Sequence, residues 1–236
     1  MSALHDHMPE DGTSHPLPGT RPMAPGDWLR RDERFAEQMA ERDDLVLNHR
    51  NAVIACLPEA EAAASELLAE VCAEIGADGE SFTRADGVVV SLDASDPLGT
   101  LGRLVQEDFA IMTRGPEEHV LSGGVICFPS RWTLAEKVGK PLTRIHVPVA
   151  VYDAQIAKRV QRLFDGVQVE RPIVRWNHLP YSTEVLHNPA PEPAVPYEPD
   201  TRESRTPFLR KERQVIKRLP KTRAVVFSIH TWITRG

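Results

Sequence analysis

Ala224-Val225-Val226-Phe227-Ser228-Ile229-His230-Thr231-Trp232-Ile233-Thr234 is the stretch that decides the fold class. It is rich in β-branched and aromatic residues and lacks proline and glycine, so it reads as a strand. Period-two alternation puts Val225, Phe227, Ile229 and Ile233 on one face and Ser228, His230 and Trp232 on the other.

Working outward, Val120 to Phe128 reads as a buried strand in which Gly123-Gly124 permits a bulge or a close backbone approach. Val88 to Leu92, Ile145 to Val151 and Ile173 to Trp176 are further strand candidates. Phe208 to Leu219 stands out only as a basic segment. The clearest helix follows Pro58, with Ala64, Leu67, Leu68, Val71 and Ile75 on one face and Gly76 as its stop. Asp27 to Arg42 has a charged helical pattern anchored by Trp28, Phe35 and Met39. Asp96-Pro97 opens a short helix or turn with Leu98, Leu101 and Leu104, Thr133 to Val138 forms a short helix closed by Gly139, and Ile156, Val160, Leu163 and Phe164 mark an amphipathic one. Strands exceed the tight hairpin signals and helices flank them irregularly, which predicts α+β architecture, an antiparallel sheet with helices packed on it.

Residues 1–25 are rich in Pro, Gly, His and acidic residues and read as a flexible tail, leaving residues 26–236 as one domain. Asn188 to Pro207 is a proline-laden connection. The 236 residues are 41% hydrophobic and 26% charged with a net charge of −6, a balance that argues against nucleic-acid binding. No apolar run is long enough to span a bilayer, and the opening residues lack a basic-then-apolar leader, so a cytoplasmic protein is expected. Cys56, Cys72 and Cys127 are widely spaced and form neither a CxxC pair nor a disulfide framework.

Four blocks in order carry a resemblance: Leu104 to Met112; Cys127-Phe128-Pro129-Ser130-Arg131-Trp132 continuing through Glu136-Lys137-x-Gly139 to Ile145-His146-x-Pro148-Val149; Arg175-x-Asn177; and Leu209-Arg210-x-Glu212-Arg213-Gln214, then Leu219-Pro220 and Ala224 to Ile229. Together they resemble the haem-dependent oxidative N-demethylase family, also described as dimethylamine monooxygenase α-subunits. The resemblance implies a PAS-like fold holding haem b, and O2-dependent conversion of a small secondary amine to a primary amine and formaldehyde. It also implies electrons from NADPH through a reductase partner carrying a flavin (FMN) and an iron–sulfur cluster. The alternative is a non-catalytic haem or small-ligand sensor of the same fold. Whether the chain assembles with like or unlike subunits stays open.

A haem enzyme needs one strong axial ligand and an open opposite face. His146, in the most specific block and on a candidate strand, is the expected iron ligand. Cys127 is the rival, although its apolar setting suits an inert buried thiol. His178 and His230 are further candidates, and His5, His7 and His15 lie in the tail. Arg131, Lys137, Arg175 and Arg213 are the candidate propionate partners. Glu212 and Trp176 are the candidate catalytic residues, because a cationic amine calls for an acid or an aromatic face. Trp132 and Tyr152 are candidate cavity linings, and Glu107, Asp108 and Glu212 are equally suited to ion pairing. Arg210, Lys211, Arg213, Lys217, Arg218, Lys221 and Arg223 form a basic cluster suited to docking an acidic reductase.

Overall fold

The computed structural model describes residues 4–12, 19–147, 154–192 and 206–236. Nine strands lie among them: β1 (Arg21–Pro22), β2 (Ile54–Cys56), β3 (Ser81–Thr83), β4 (Val89–Ser91), β5 (Asp108–Arg114), β6 (His119–Val125), β7 (Ile173–Tyr181), β8 (Phe208–Arg218) and β9 (Val225–Arg235). The helices are α1 (Phe35–Asn48), α2 (Arg50–Val53), α3 (Glu61–Ile75), α4 (Pro97–Leu104), α5 (Leu134–Lys137), α6 (Leu142–Ile145) and α7 (Ala154–Gly166), with a 3-10 turn at Pro58–Ala60. Seven strands form an antiparallel sheet in the order β1-β7-β8-β9-β5-β6-β2, and β3 and β4 pair separately as a hairpin. This is the expected α+β arrangement, an antiparallel sheet with flanking helices. The five long strands β5 to β9 place the first and the last side by side at the centre.

Local chemistry accounts for several boundaries. The Asp96 carboxylate accepts from Gly99 N at 3.1 Å and caps α4 ahead of Pro97. Gly76 ends α3 in the left-handed region at φ 68°. In β6, an ideal Cβ on Gly124 would sit 2.3 Å from the Phe109 carbonyl oxygen, so only glycine lets β5 and β6 approach this closely. Next to it the β5–β6 register shifts between Ile111 and Met112.

Several expectations need correction. Residues 27–34 are not helical; α1 starts at Phe35 and continues past Arg42 to Asn48. The basic segment is the 11-residue strand β8, paired with β9 along its whole length and with β7 from Phe208 to Ile216. His146 lies on no strand but follows α6 as its C-terminal cap, and residues 148–151 of that candidate strand, like Tyr152 and His15, fall outside the described residues. Within the stretch read as a tail, Arg21–Pro22 pair with β7 and His5 is buried.

The sheet has two differently furnished faces. One packs against α1, α3 and α4, with Leu45, Leu67, Val71, Leu98 and Leu101 meeting Phe109, Val215 and Val226. The other packs against α5, α6 and α7, with Leu134, Leu142 and Phe164 meeting Met112, Ile216 and Val225. Residues paired across strands share a face, so over the middle of the sheet the register assigns side chains to one or other layer, while at its far end Tyr181 and Ile233 join the first cluster.

Candidate functional site

On the α5–α7 side the register aligns Ile173, Ile216 and Phe227; then Arg175, Gln214 and Ile229; then Asn177, Glu212 and Thr231. β9 is hydrogen-bonded on both sides, so a packed layer above it would bury its side chains completely. Phe227 and Ile229 nevertheless remain partly exposed, as do Arg175 and Asn177. The helical layer therefore does not fully cover the middle of the sheet, where these apolar and polar side chains stay partly open.

Polar order there centres on Glu212. Its carboxylate accepts from Arg210 Nε at 2.8 Å, Gln214 Nε2 at 3.0 Å and Asn177 Nδ2 at 3.4 Å. Arg175 in turn donates to the Gln214 side-chain oxygen. Burial pulls the Arg175 pKa down, and Glu212 only partly offsets that. Arg210 is fully buried and also donates to the Leu186 and Phe128 carbonyls, which ties β8 to the segment leaving β6. The ion pairing expected of Glu212 is thus made with Arg210.

The rim is built from the block that follows β6. Asp108, at the start of β5, accepts from Cys127 N at 2.7 Å and Phe128 N at 2.8 Å while pairing with Arg42 at 2.7 Å. This buried carboxylate fixes the direction in which the chain leaves the sheet. Arg131 then takes a left-handed backbone at φ 60°, uncommon for a side chain with a Cβ. Its N donates to the Asn188 carbonyl at 2.8 Å, and its guanidinium stands over the Tyr181 ring. Lys137 Nζ donates to the Ile145 carbonyl at 2.6 Å and lies 5.0 Å from the centre of the Trp132 ring. Burial lowers its pKa to about 8.

His146 joins this group. Burial lowers its pKa to about 4, and the neighbouring charges of Lys137 and Arg175 push in the same direction. The ring is neutral at pH 7. Its Nδ1 lies 2.8 Å from the Leu142 carbonyl, so the proton sits on Nδ1 and Nε2 carries the lone pair. That is the tautomer a metal-binding imidazole needs, with its second nitrogen oriented by a backbone carbonyl. Cys127, the rival, is fully buried in the opposite cluster, and burial pushes its thiol up to about 12.

The sheet separates the remaining candidates from these. Trp176 and Arg213 alternate to the α1–α4 side, as do His178 and His230. Trp176 packs on Trp232 with ring centres 5.3 Å apart, and Arg213 donates to the Trp28 and Asp27 carbonyls, holding residues 27–34 across the sheet. Of the seven sequence-derived site residues, His146, Lys137, Arg175 and Glu212 gather on one side, Trp176 and Arg213 lie on the other, and Arg131 stands apart over Tyr181.

Sequence reasoning missed a second construction on the far side. Glu107 Oε1 lies 3.0 Å from His230 Nδ1, His230 Nε2 lies 2.9 Å from Asp32 Oδ2, and the same oxygen lies 2.9 Å from His5 Nε2. Ile233 N donates to His5 Nδ1 at 3.2 Å. His230, between two carboxylates, is the imidazolium. Burial opposes that charge, but Glu107 and Asp32 outweigh it and raise its pKa to about 8. No local pattern announces this chain, since its members are 27 to 198 residues apart.

A protein-family model described as haem-dependent oxidative N-demethylase, alpha subunit-like, matches residues 19–235.

Proposed function

Because the chain belongs to the haem-dependent oxidative N-demethylase α-subunit-like family, we propose that haem b is taken up over the partly open Phe227 and Ile229 and that the protein removes a methyl group from a small secondary amine. The products are a primary amine and formaldehyde, O2 is the co-substrate, and electrons come from an NADPH-dependent reductase partner with FMN and an iron–sulfur cluster. The observation that carries the reading is a partly open, apolar-floored stretch of central strand beside a neutral imidazole and two cations in one layer.

The residues present suit the group. His146 offers a neutral ring with its lone pair on Nε2, the form in which imidazole serves as a haem ligand. Arg175 and Lys137 are cations that burial disfavours, and carboxylates brought alongside would compensate both charges, as haem propionates do. Phe227, Ile229 and Trp132 supply apolar surface that excludes water. Haem bound here supplies the electron-accepting and O2-activating chemistry that no side chain of the protein has. Glu212, whose charge Arg210 already pairs, orders the polar side chains of Gln214 and Asn177 beside the amine's approach, and Arg131 stands over Tyr181.

The test is the absorption spectrum of protein expressed with haem supply. We expect a Soret band that amine perturbs, together with formaldehyde release that depends on amine, NADPH and a reductase. His146→Ala should abolish the normal spectrum and Cys127→Ser should keep it. Colourless wild-type protein that will not take up haem refutes the reading, and a Soret band indifferent to amine reduces it to a binding module.

A further inference from the structure

Most of the basic cluster of β8 does not form a surface, although Lys221 and Arg223 in the turn after it are exposed. Arg210 and Arg213 are turned inward. Lys217 pairs with Glu70 at 2.8 Å. Arg218 is also buried, and it ties three segments together by donating to the Val167 and Phe164 carbonyls at the end of α7 and to the Arg223 carbonyl in the β8–β9 turn. What Arg218 gathers is a different basic surface, assembled from parts remote in sequence.

On α7, Val160 and Phe164 face the core cluster that includes Phe227. Arg162 follows Arg159 by three residues and Lys158 by four on the outer side, and all three are exposed. Exposed Arg171 lies in the turn after α7, and exposed Arg223 in the turn that Arg218 holds against the helix end. Among the described residues none of these five cations lies within ion-pair distance of a carboxylate. Most other arginines of the chain are paired, Arg21, Arg30, Arg34, Arg42, Arg50, Arg84, Arg103 and Arg144 among them. Nearby acids include Asp165, which Arg114 neutralises, Glu170, and Glu66, which accepts from Lys221 N and Thr222 N in the turn that carries Arg223. A chain with net charge −6 thus carries a strongly positive patch on one helix and its two adjoining turns.

We propose that this patch docks an acidic protein surface, that of the electron-donating partner. The donor's role rests on the function proposed above, whereas the docking itself rests on charge and placement. α7 lies between its outer cations and Phe227, a distance of one helix diameter, about 10 Å, so a partner seated there lies next to the group proposed to bind over Phe227. Unpaired exposed cations keep their full field toward solvent and steer an acidic partner at low ionic strength. The net negative charge of the rest of the chain repels a polyanion as long as a nucleic acid but leaves a compact acidic face free to approach.

The probe is an acidic plant-type [2Fe–2S] ferredoxin, titrated calorimetrically into the full chain at low and at high salt. Arg159→Glu with Arg162→Glu should weaken binding about tenfold or more at low salt, and high salt should erase the difference. Arg21→Glu with Arg50→Glu, which reverses two cations away from the patch, should bind like the wild type. Absence of binding by the wild type, or equal loss in both double variants, overturns the docking proposal. Haem content, read from the absorption spectrum of the same samples, reports separately on the proposed function. Protein without haem that still binds the probe through α7 refutes the oxygenase reading and leaves the docking surface standing.

Discussion

Replacing His230 by Gln tests the buried Glu107–His230–Asp32–His5 chain quantitatively. The folded protein holds the His230 proton with a pKa of about 8, against the ordinary 6.5. That gap is about 2 kcal/mol of stability. Because the folded-state pKa is the higher one, the contribution is complete below 6.5 and is lost as pH rises through about 8. Asp32 adds an acid-side dependence, since His230 and His5 overcome the effect of burial and hold its carboxyl well below the usual range. Lys137 works against His230 on the alkaline side, because burial lowers its ammonium to about 8 and folding then favours the neutral amine. The informative quantity is therefore the difference between wild type and variant. At about pH 6, His230→Gln leaves two buried carboxylates without their cation and should cost about 3–5 kcal/mol. By about pH 9 the deficit should shrink by about 2 kcal/mol, because the wild type has by then lost its own imidazolium. Urea unfolding of both proteins at several pH values measures this directly. A deficit that stays constant from about pH 6 to 9 would refute the assignment of His230 as the charged member.

Asp108→Asn removes the partner of fully buried Arg42 and weakens the anchor of Cys127 and Phe128. A loss of about 3–5 kcal/mol is expected, seen as a drop of about 10 °C in thermal midpoint, and an unchanged midpoint would contradict the anchor role. Gly124→Ala should prevent folding or yield insoluble protein, because its Cβ meets the Phe109 carbonyl, whereas Gly166→Ala, with open space around it, should express and melt like the wild type. His146 is kept neutral by burial, so its folded-state pKa lies below the unfolded value and it weakens the fold as pH falls from 6.5 toward about 4. His146→Phe should flatten that acid limb in denaturation curves, and an identical limb would show the ring to be accessible to protons. If Arg175 and Lys137 hold propionates, Arg175→Leu with Lys137→Met should release haem to apomyoglobin about tenfold faster or more, and unchanged release would move the propionates elsewhere.

Features written in neighbouring residues were legible in the sequence alone. Asp96-Pro97 starts α4 because a carboxylate cap and a proline act within one turn, and Gly76 ends α3 because the left-handed residue must be near the helix end. The alternation in Val225 to Thr234 gave a strand and its two faces, since side-chain direction along a strand depends only on the backbone. Burial of those faces was another matter. The apolar residues Phe227 and Ile229 remain partly exposed, while Ser228, His230 and Trp232 are buried. Residues 27–34 bring Trp28 Nε1 to the Ser228 hydroxyl and Asp32 to His230, partners 200 and 198 positions away. β8 was hidden for the same reason. Arg210-Lys211-Glu212-Arg213-Gln214 looks solvated until Phe128, Leu186, Trp28 and Asp27 arrive to accept its hydrogen bonds. Charge can be buried only where opposite charge or carbonyls already wait. That condition depends on the whole fold, so the interior of the sheet and the gathering of His146, Lys137, Arg175 and Glu212 were decided by tertiary structure.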